Sequence, residues 1–95
     1  MSETGDSARA DVWLWRARFF KTRSAAAAFI ESGRVRLTRH GQETRLDKPS
    51  RTVRIGDQFM FAIAGRLIDV EVASLGERRG PPSEAQKLFS DRLAQ

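Results

Sequence analysis

Lys21-Thr22-Arg23-Ser24 sets two cations and two hydroxyls directly ahead of Ala25 to Ser32, a run that contains neither glycine nor proline. If that run is helical, its first backbone amides are unpaired and the positive end of its dipole faces the same four residues. The segment can then converge on one phosphate. Thr22 or Ser24 can also serve as the helix N-cap, and capping is compatible with phosphate contact. Arg9, Arg34 and Arg36 can extend the same basic face, while Arg16 and Arg18 are either further contacts or a solvated helix flank. These residue types in this pattern hold a polyanion; they do not make or break bonds.

Other chemistry is poorly provided for. There is no cysteine, hence no disulfide frame, thiolate metal site or cysteine nucleophile. The single histidine, His40, lies between Arg39 and Gly41 and reads as an exposed turn residue, with no second histidine to complete a metal site or a catalytic pair. Asp47 and Asp57 sit beside turn signals, where aspartate is expected for structural reasons. No glycine-rich phosphate loop of the nucleotide-hydrolysing or dinucleotide-binding type occurs. The expectation is a non-enzymatic protein with no catalytic residues, no metal, no cofactor and no small-molecule substrate.

Ninety-five residues suit one small domain. The formal charge is +5, and 14 of the 17 cations are arginine, whose planar fork suits phosphates and bases better than the point charge of lysine. The charge is concentrated: residues 9–54 carry +8, whereas residues 1–8 carry −2 and residues 55–95 carry −1. One electropositive face is therefore expected, with nucleic acid as its partner. The acidic start lacks the form of a secretory signal, and no apolar stretch approaches ~18 residues. We expect a cytoplasmic monomer with no membrane partner.

The elements that must position the basic residues follow from periodicity. Asp11 is the expected N-cap of a first helix over residues 12–20, with Trp13, Leu14, Ala17 and Phe20 on its core side. Val12, Trp15 and Phe19 give it more apolar surface than one stripe requires, so part of it should meet a second element or a ligand. Ala26, Phe29 and Ile30 form the buried stripe of a second helix, ended by Gly33. Val35-Arg36-Leu37 alternates as a strand, residues 38–51 are polar and punctuated by Gly41 and Pro49, and residues 51–55 alternate again. Phe59, Phe61 and Ile63 share one face of a longer strand, joined through Ala64-Gly65-Arg66 to a partner carrying Ile68, Val70 and Val72. Ser83 and Gln86 form a capping box for a C-terminal helix with Ala85, Leu88, Phe89 and Leu93 on its apolar side.

With these residues in place, Arg9-x-Asp11-x-x-Leu14, Lys21-Thr22-Arg23-Ser24, Ala27, Ile30, Gly33-Arg34-Val35, Lys48-Pro49-Ser50 and Gly56-Asp57 together resemble the RNA-binding domain first named for ribosomal protein S-four, the alpha-L motif. Within it, Trp13-Leu14-Trp15, Arg18-Phe19-Phe20 and Glu77-Arg78-Arg79-Gly80-Pro81 resemble the small bacterial heat-shock branch that binds ribosomes. The resemblance implies an α+β fold, an N-terminal αα-hairpin packed on a small bent antiparallel sheet, followed by the C-terminal helix. With residues 1–8, which carry two acids and no base, read as a disordered leader, the chain divides into that leader, an RNA-binding domain at 9–74 with its core motif at 9–63, and a linker and helix at 75–95.

Carried over by position, the resemblance implies RNA contacts from Arg9, Asp11, Lys21, Thr22, Arg23, Ser24, Arg34, Val35 and Lys48, with Arg16, Arg18, Arg36 and Arg51 secondary. Asp11, being acidic, is expected to orient Arg9 or cap the first helix. The family often has Val-x-Val-Asn-Gly after the second helix, whereas Val35 to Gly41 is longer here and lacks the asparagine. The heat-shock branch implies binding to ribosomal RNA of free large subunits still carrying a nascent chain on transfer RNA, in stress-linked recycling. Trp15 and Phe19 read as packing residues in preference to base-stacking ones. Two other readings remain open: a DNA-binding module, since two helices and a turn also suit a major groove, and a regulatory subunit whose sheet or last helix binds protein.

Overall fold

The computed structural model describes residues 7–93. The chain runs β1 (Ala8–Arg9), α1 (Ala10–Arg16), α2 (Arg23–Glu31), β2 (Val35–Arg39), β3 (Gln42–Leu46), β4 (Thr52–Val53), β5 (Gln58–Ile63), β6 (Arg66–Val72), α3 (Pro82–Ala85), a 3₁₀ turn (Gln86–Leu88) and β7 (Phe89–Asp91). Most of the expected leader, residues 1–6, lies outside the described residues. Ala8, placed in that leader, instead pairs with Val53, and Arg9 with Thr52, in a two-stranded ribbon that ties the start of α1 to β4.

Two turns of helix are marginal alone, so α1 depends on what it packs against. Trp13 is fully buried; its ring stacks on Phe59 at 5.2 Å between centroids, and its indole Nε1 donates to the Ser74 carbonyl at 2.9 Å. Leu14, Ala17 and Phe20 are buried with it, as the 3.6-residue period requires. The helix is shorter than expected at one end: Ala17 is its C-cap and Arg18 takes a left-handed φ of 68°. Phe19 and Phe20 therefore leave it, yet Phe20 stays in the core, 5.3 Å from Phe29, and half-buried Phe19 packs against it, 4.8 Å from Phe89. The surplus apolar surface of this segment thus meets a second element. At the other end the N-cap is Arg9, without a side-chain cap, and Asp11 lies inside the first turn. The β1–β4 ribbon starts the helix early by giving the Ala10 and Asp11 amides the carbonyls of Arg51 and Pro49.

The second helix follows its sequence signals closely. Thr22 Oγ1 accepts from Ala25 N at 2.9 Å, Ala26 and Ile30 are fully buried, and Gly33 adopts φ +79° just beyond the end. Helix α1, α2 and the five-stranded antiparallel sheet, ordered β3-β2-β5-β6-β7, enclose a single core that includes Ile30, Leu37 and Phe59. The α+β architecture of an N-terminal helical hairpin on an antiparallel sheet is as expected. Both long hairpins close through two-residue turns with positive φ at each position, His40-Gly41 and Ala64-Gly65, the geometry whose twist matches the strands.

Three expectations for local structure are corrected. The polar stretch 38–51 contains a strand, β3, paired from Val35↔Leu46 to Arg39↔Gln42. As an edge strand it buries only Leu46 of its five residues, so it shows almost no alternation. Of residues 51–55, only Thr52 and Val53 are strand, since their partner β1 is two residues long. The C-terminal helix is a single turn followed by a 3₁₀ turn, and Phe89–Asp91 then pairs with β6 as a fifth strand. The Ser83 capping box does not form. Pro82 starts the helix two residues earlier, with Pro81 as its N-cap and no N–H on Pro82 to satisfy, and Glu84 is engaged by Arg78 at 2.8 Å. Ala85 and Leu88 are buried as expected, whereas Leu93 is half exposed.

Candidate nucleic-acid interface

The first turn of α1 organises the basic residues. Arg9 grips Asp11 with two parallel hydrogen bonds, Nε to Oδ1 at 3.0 Å and Nη2 to Oδ2 at 2.9 Å, and Val12 N donates to Oδ1 at 2.8 Å. Asp11 is buried while the Arg9 side chain is half exposed, so the carboxylate holds the guanidinium in one orientation from below. Burial pushes the Asp11 carboxyl up, but the Arg9 hydrogen bonds and charge, the Val12 amide and the nearby Arg23 charge together hold it below its ordinary range. Asp11 thus orients Arg9, as anticipated, and is not itself presented to an anion.

That shift has a testable sign. A carboxyl with a folded-state pKa below its unfolded value of about 3.9 contributes stability that is fully present above that value and is lost as pH falls through the folded one. In thermal melts between neutrality and strong acid, the gap between wild type and Asp11→Asn should be widest at neutral pH and close below about pH 4. A gap independent of pH would show that Asp11 contributes shape and not charge.

Arg23 opens α2, and its charge contributes to the lowering of the Asp11 carboxyl. Lys48 lies beside the start of α1: its carbonyl closes a turn with Arg51 N at 3.0 Å, and that turn receives the Ala10 and Asp11 amides through Arg51 O at 2.8 Å and Pro49 O at 3.2 Å. Lys21, Arg23, Ser24 and Lys48 are all exposed. Thr22 Oγ1 and its carbonyl occupy the Ala25 and Ala26 amides, and the two earlier amides of a helix, those of Arg23 and Ser24 here, are the donors left for a ligand. Arg34 stands at the opposite end of α2, about 13 Å along a nine-residue helix. It is exposed, lies 4.8 Å over the Phe29 ring and donates to Ser32 Oγ at 3.1 Å.

Other named residues are placed differently. Val35 is fully buried, so its side chain supports the hairpin from within the core. Arg36 is exposed and lies 3.8 Å from Glu43. Arg16 is turned inward: Nη1 donates to Leu75 O at 3.3 Å and Gly76 O at 2.9 Å, leaving Nε buried without a partner. Arg18 Nε donates to Gly80 O at 2.7 Å. Arg79, named in the sequence only within Glu77-Arg78-Arg79-Gly80-Pro81 and not as a contact residue, reaches back to Trp15 O at 3.0 Å and Phe20 O at 3.4 Å. These three arginines clasp the end of α1 to the 75–80 segment. Each lies about sixty residues from the carbonyls it binds, so no local spacing reveals the pairing.

Among the described residues there is no cluster of His, Cys, Asp and Glu able to hold a metal, and no helix is long and apolar enough to cross a membrane. Asp57 is buried, with both oxygens engaged by Arg39 at 2.8 and 2.7 Å and one by Arg54 N at 2.8 Å, which is a structural arrangement.

Comparison with known proteins bears on the same surface. The S4 domain family matches residues 8–37, the span that holds both helices and Arg9, Asp11, Arg23 and Arg34. The heat shock protein 15 homolog of Haemophilus influenzae and heat shock protein 15 of Escherichia coli K12 are each 37% identical over 83 residues, or 87% of this chain. The chain spans about 60% of the length of these relatives. The Aeromonas salmonicida homolog is 36% identical over 93 residues, covering 98% of this chain and 67% of its own. The solved structure of Vibrio cholerae heat shock protein 15, described as trimeric, is 35% identical with a TM-score of 0.78, over 90% of this chain and 81% of that one.

Proposed function

As the chain belongs to the heat shock protein 15 family and carries an S4 domain, an RNA-binding fold, we propose that it is a non-enzymatic protein that binds structured ribosomal RNA through the paired beginnings of α1 and α2. The partner we assign is the free large ribosomal subunit that retains a nascent chain on transfer RNA, and the role is recycling of such subunits under stress in the cytoplasm. The observation that carries this reading is the two-bond hold of buried Asp11 on half-exposed Arg9 at the start of α1, with Lys48 on the turn that receives the Ala10 and Asp11 amides. Two separate stretches of chain, around Arg9 and Lys48, are held together by these hydrogen bonds, and we assign Arg23 at the start of α2 to the same surface. The RNA-binding unit is read as residues 9–74, with its core motif at 9–63, and the contacts as Arg9, Lys21, Thr22, Arg23, Ser24, Arg34 and Lys48.

The deep, narrow major groove of folded RNA excludes side chains, so a rigid helix pair reads phosphate spacing and 2′-hydroxyl positions more than base sequence. Arginine suits this, since its fork can bridge two phosphate oxygens while the carboxylate behind it fixes the angle of approach. The test is sedimentation of tagged protein through a density gradient with RNA crosslinking of the bound fraction. The expected result is comigration with free large subunits and crosslinks to their RNA; migration that survives nuclease treatment would favour a protein partner instead. We take the bound unit to be one chain, so the free protein should sediment at the mass of a monomer, and a trimer would replace that assignment.

A further inference from the structure

At the edge of the sheet opposite β3, the turn end of the β5–β6 hairpin leaves part of the core-facing side uncovered. A groove of about 470 Å³ lies there, lined by Phe19, Ile63, Ile68 and Phe89 with Arg18 and Arg66. The four apolar residues pack against the core yet are only partly buried, and Leu67 beside them is half exposed. The groove sits where β7 stops. Its last pair is Val70↔Asp91, Arg92 N makes a final bond to Asp69 O at 2.8 Å, and the chain bends away as Leu93 N turns to Asp91 Oδ1 at 2.9 Å. Outward backbone groups recur every second residue, so the Leu67 N–H and C=O point to the same edge as Asp69 O. Among the described residues no strand pairs with them there.

Charge selects the occupant. Asp69 is paired with Arg92 at 3.0 Å, and Asp91 has one oxygen on Leu93 N. Arg18 and Arg66 are exposed and in no ion pair among the described residues, so the free charge on the rim favours an acidic ligand. A second copy of a chain with net charge +5 is disfavoured by the same rule. We propose that this groove docks an extended acidic and apolar segment of a partner protein, which adds to β6 as a strand where β7 stops. Arg66, Ile68 and Val70 share one face of β6 by alternation. An apolar residue set opposite Ile68 therefore covers the Phe19–Phe89 wall, and an acid two positions away lies opposite Arg66. The groove contains none of the residues proposed to hold RNA, so it stands or falls independently of that reading.

Short random peptides displayed on phage and selected against the full chain test this, with the enriched sequences then titrated as labelled synthetic peptides by fluorescence anisotropy. They should carry an apolar residue and an Asp or Glu two positions apart. Arg66→Glu, an exposed change whose fold is verified by circular dichroism, should weaken them by about tenfold or more. Replacing the peptide's acid by lysine should recover binding to that variant. Absence of enrichment, or equal affinity of the peptides for wild type and folded Arg66→Glu, would overturn the proposal. Displacement of the peptides by oligouridylate would overturn it in favour of nucleic acid. Self-association in sedimentation equilibrium that Leu67→Asp abolishes would overturn it in favour of a second copy.

Discussion

Replacing Lys21, Arg23 and Arg34 together by alanine should weaken binding to structured RNA by about 100-fold or more near physiological salt, with three phosphate contacts removed. All three side chains are exposed, and surface substitutions of this kind typically change stability by about 0.5 kcal/mol or less. Arg34 can exceed that, because it covers the Phe29 ring at 4.8 Å, an exposed cation–π contact worth about 0.5–1 kcal/mol. The variant should therefore keep its circular dichroism spectrum and most of its melting temperature while losing RNA in an anisotropy titration. A folded triple variant that binds like the wild type would show that these cations serve something else.

The second large effect concerns the scaffold. Trp13→Ala should cost about 3–5 kcal/mol, the usual range for removing a buried aromatic. It deletes the 5.2 Å stack on Phe59 and the indole donor to Ser74 O, which join α1 to β5 and to the chain beyond β6. A domain of this size has about 5–15 kcal/mol in total, so the melting temperature should fall by tens of degrees at about 4–8 °C per kcal/mol. Because Asp11 sits on the same helix and Arg9 is its N-cap, RNA binding at ambient temperature should fall with the folded fraction. A melting temperature within a few degrees of wild type would mean that α1 is held elsewhere, for instance by Arg16, Arg18 and Arg79.

Where a local signal settles local structure, the sequence was sufficient. Thr22 caps α2 and Gly33 terminates it because a hydroxyl three residues ahead of an amide and a residue free to take positive φ are needs of the helix ends themselves. The basic residues around these ends could be named for the same reason. What escaped was decided by distant partners. β3 is a strand because β2 offers an edge, and its exposed Gln42, Glu43, Thr44 and Arg45 give no periodic pattern. Phe89–Asp91 reads as the continuation of a helix but is captured by β6. Arg16 has the same local appearance as Arg23, yet Leu75 and Gly76, about sixty residues on, draw its guanidinium inward. The count of cations was thus visible early, while their division into those that face outward and those that brace inward required the tertiary fold.

The salt dependence of RNA binding tests the central claim most directly, since it counts the phosphates that the folded protein neutralises. With about six contacts gathered on one surface, the logarithm of affinity should fall against the logarithm of salt concentration with a slope of about −4 to −5. A slope near zero would contradict the account, because no set of arginine–phosphate contacts can form without releasing counterions.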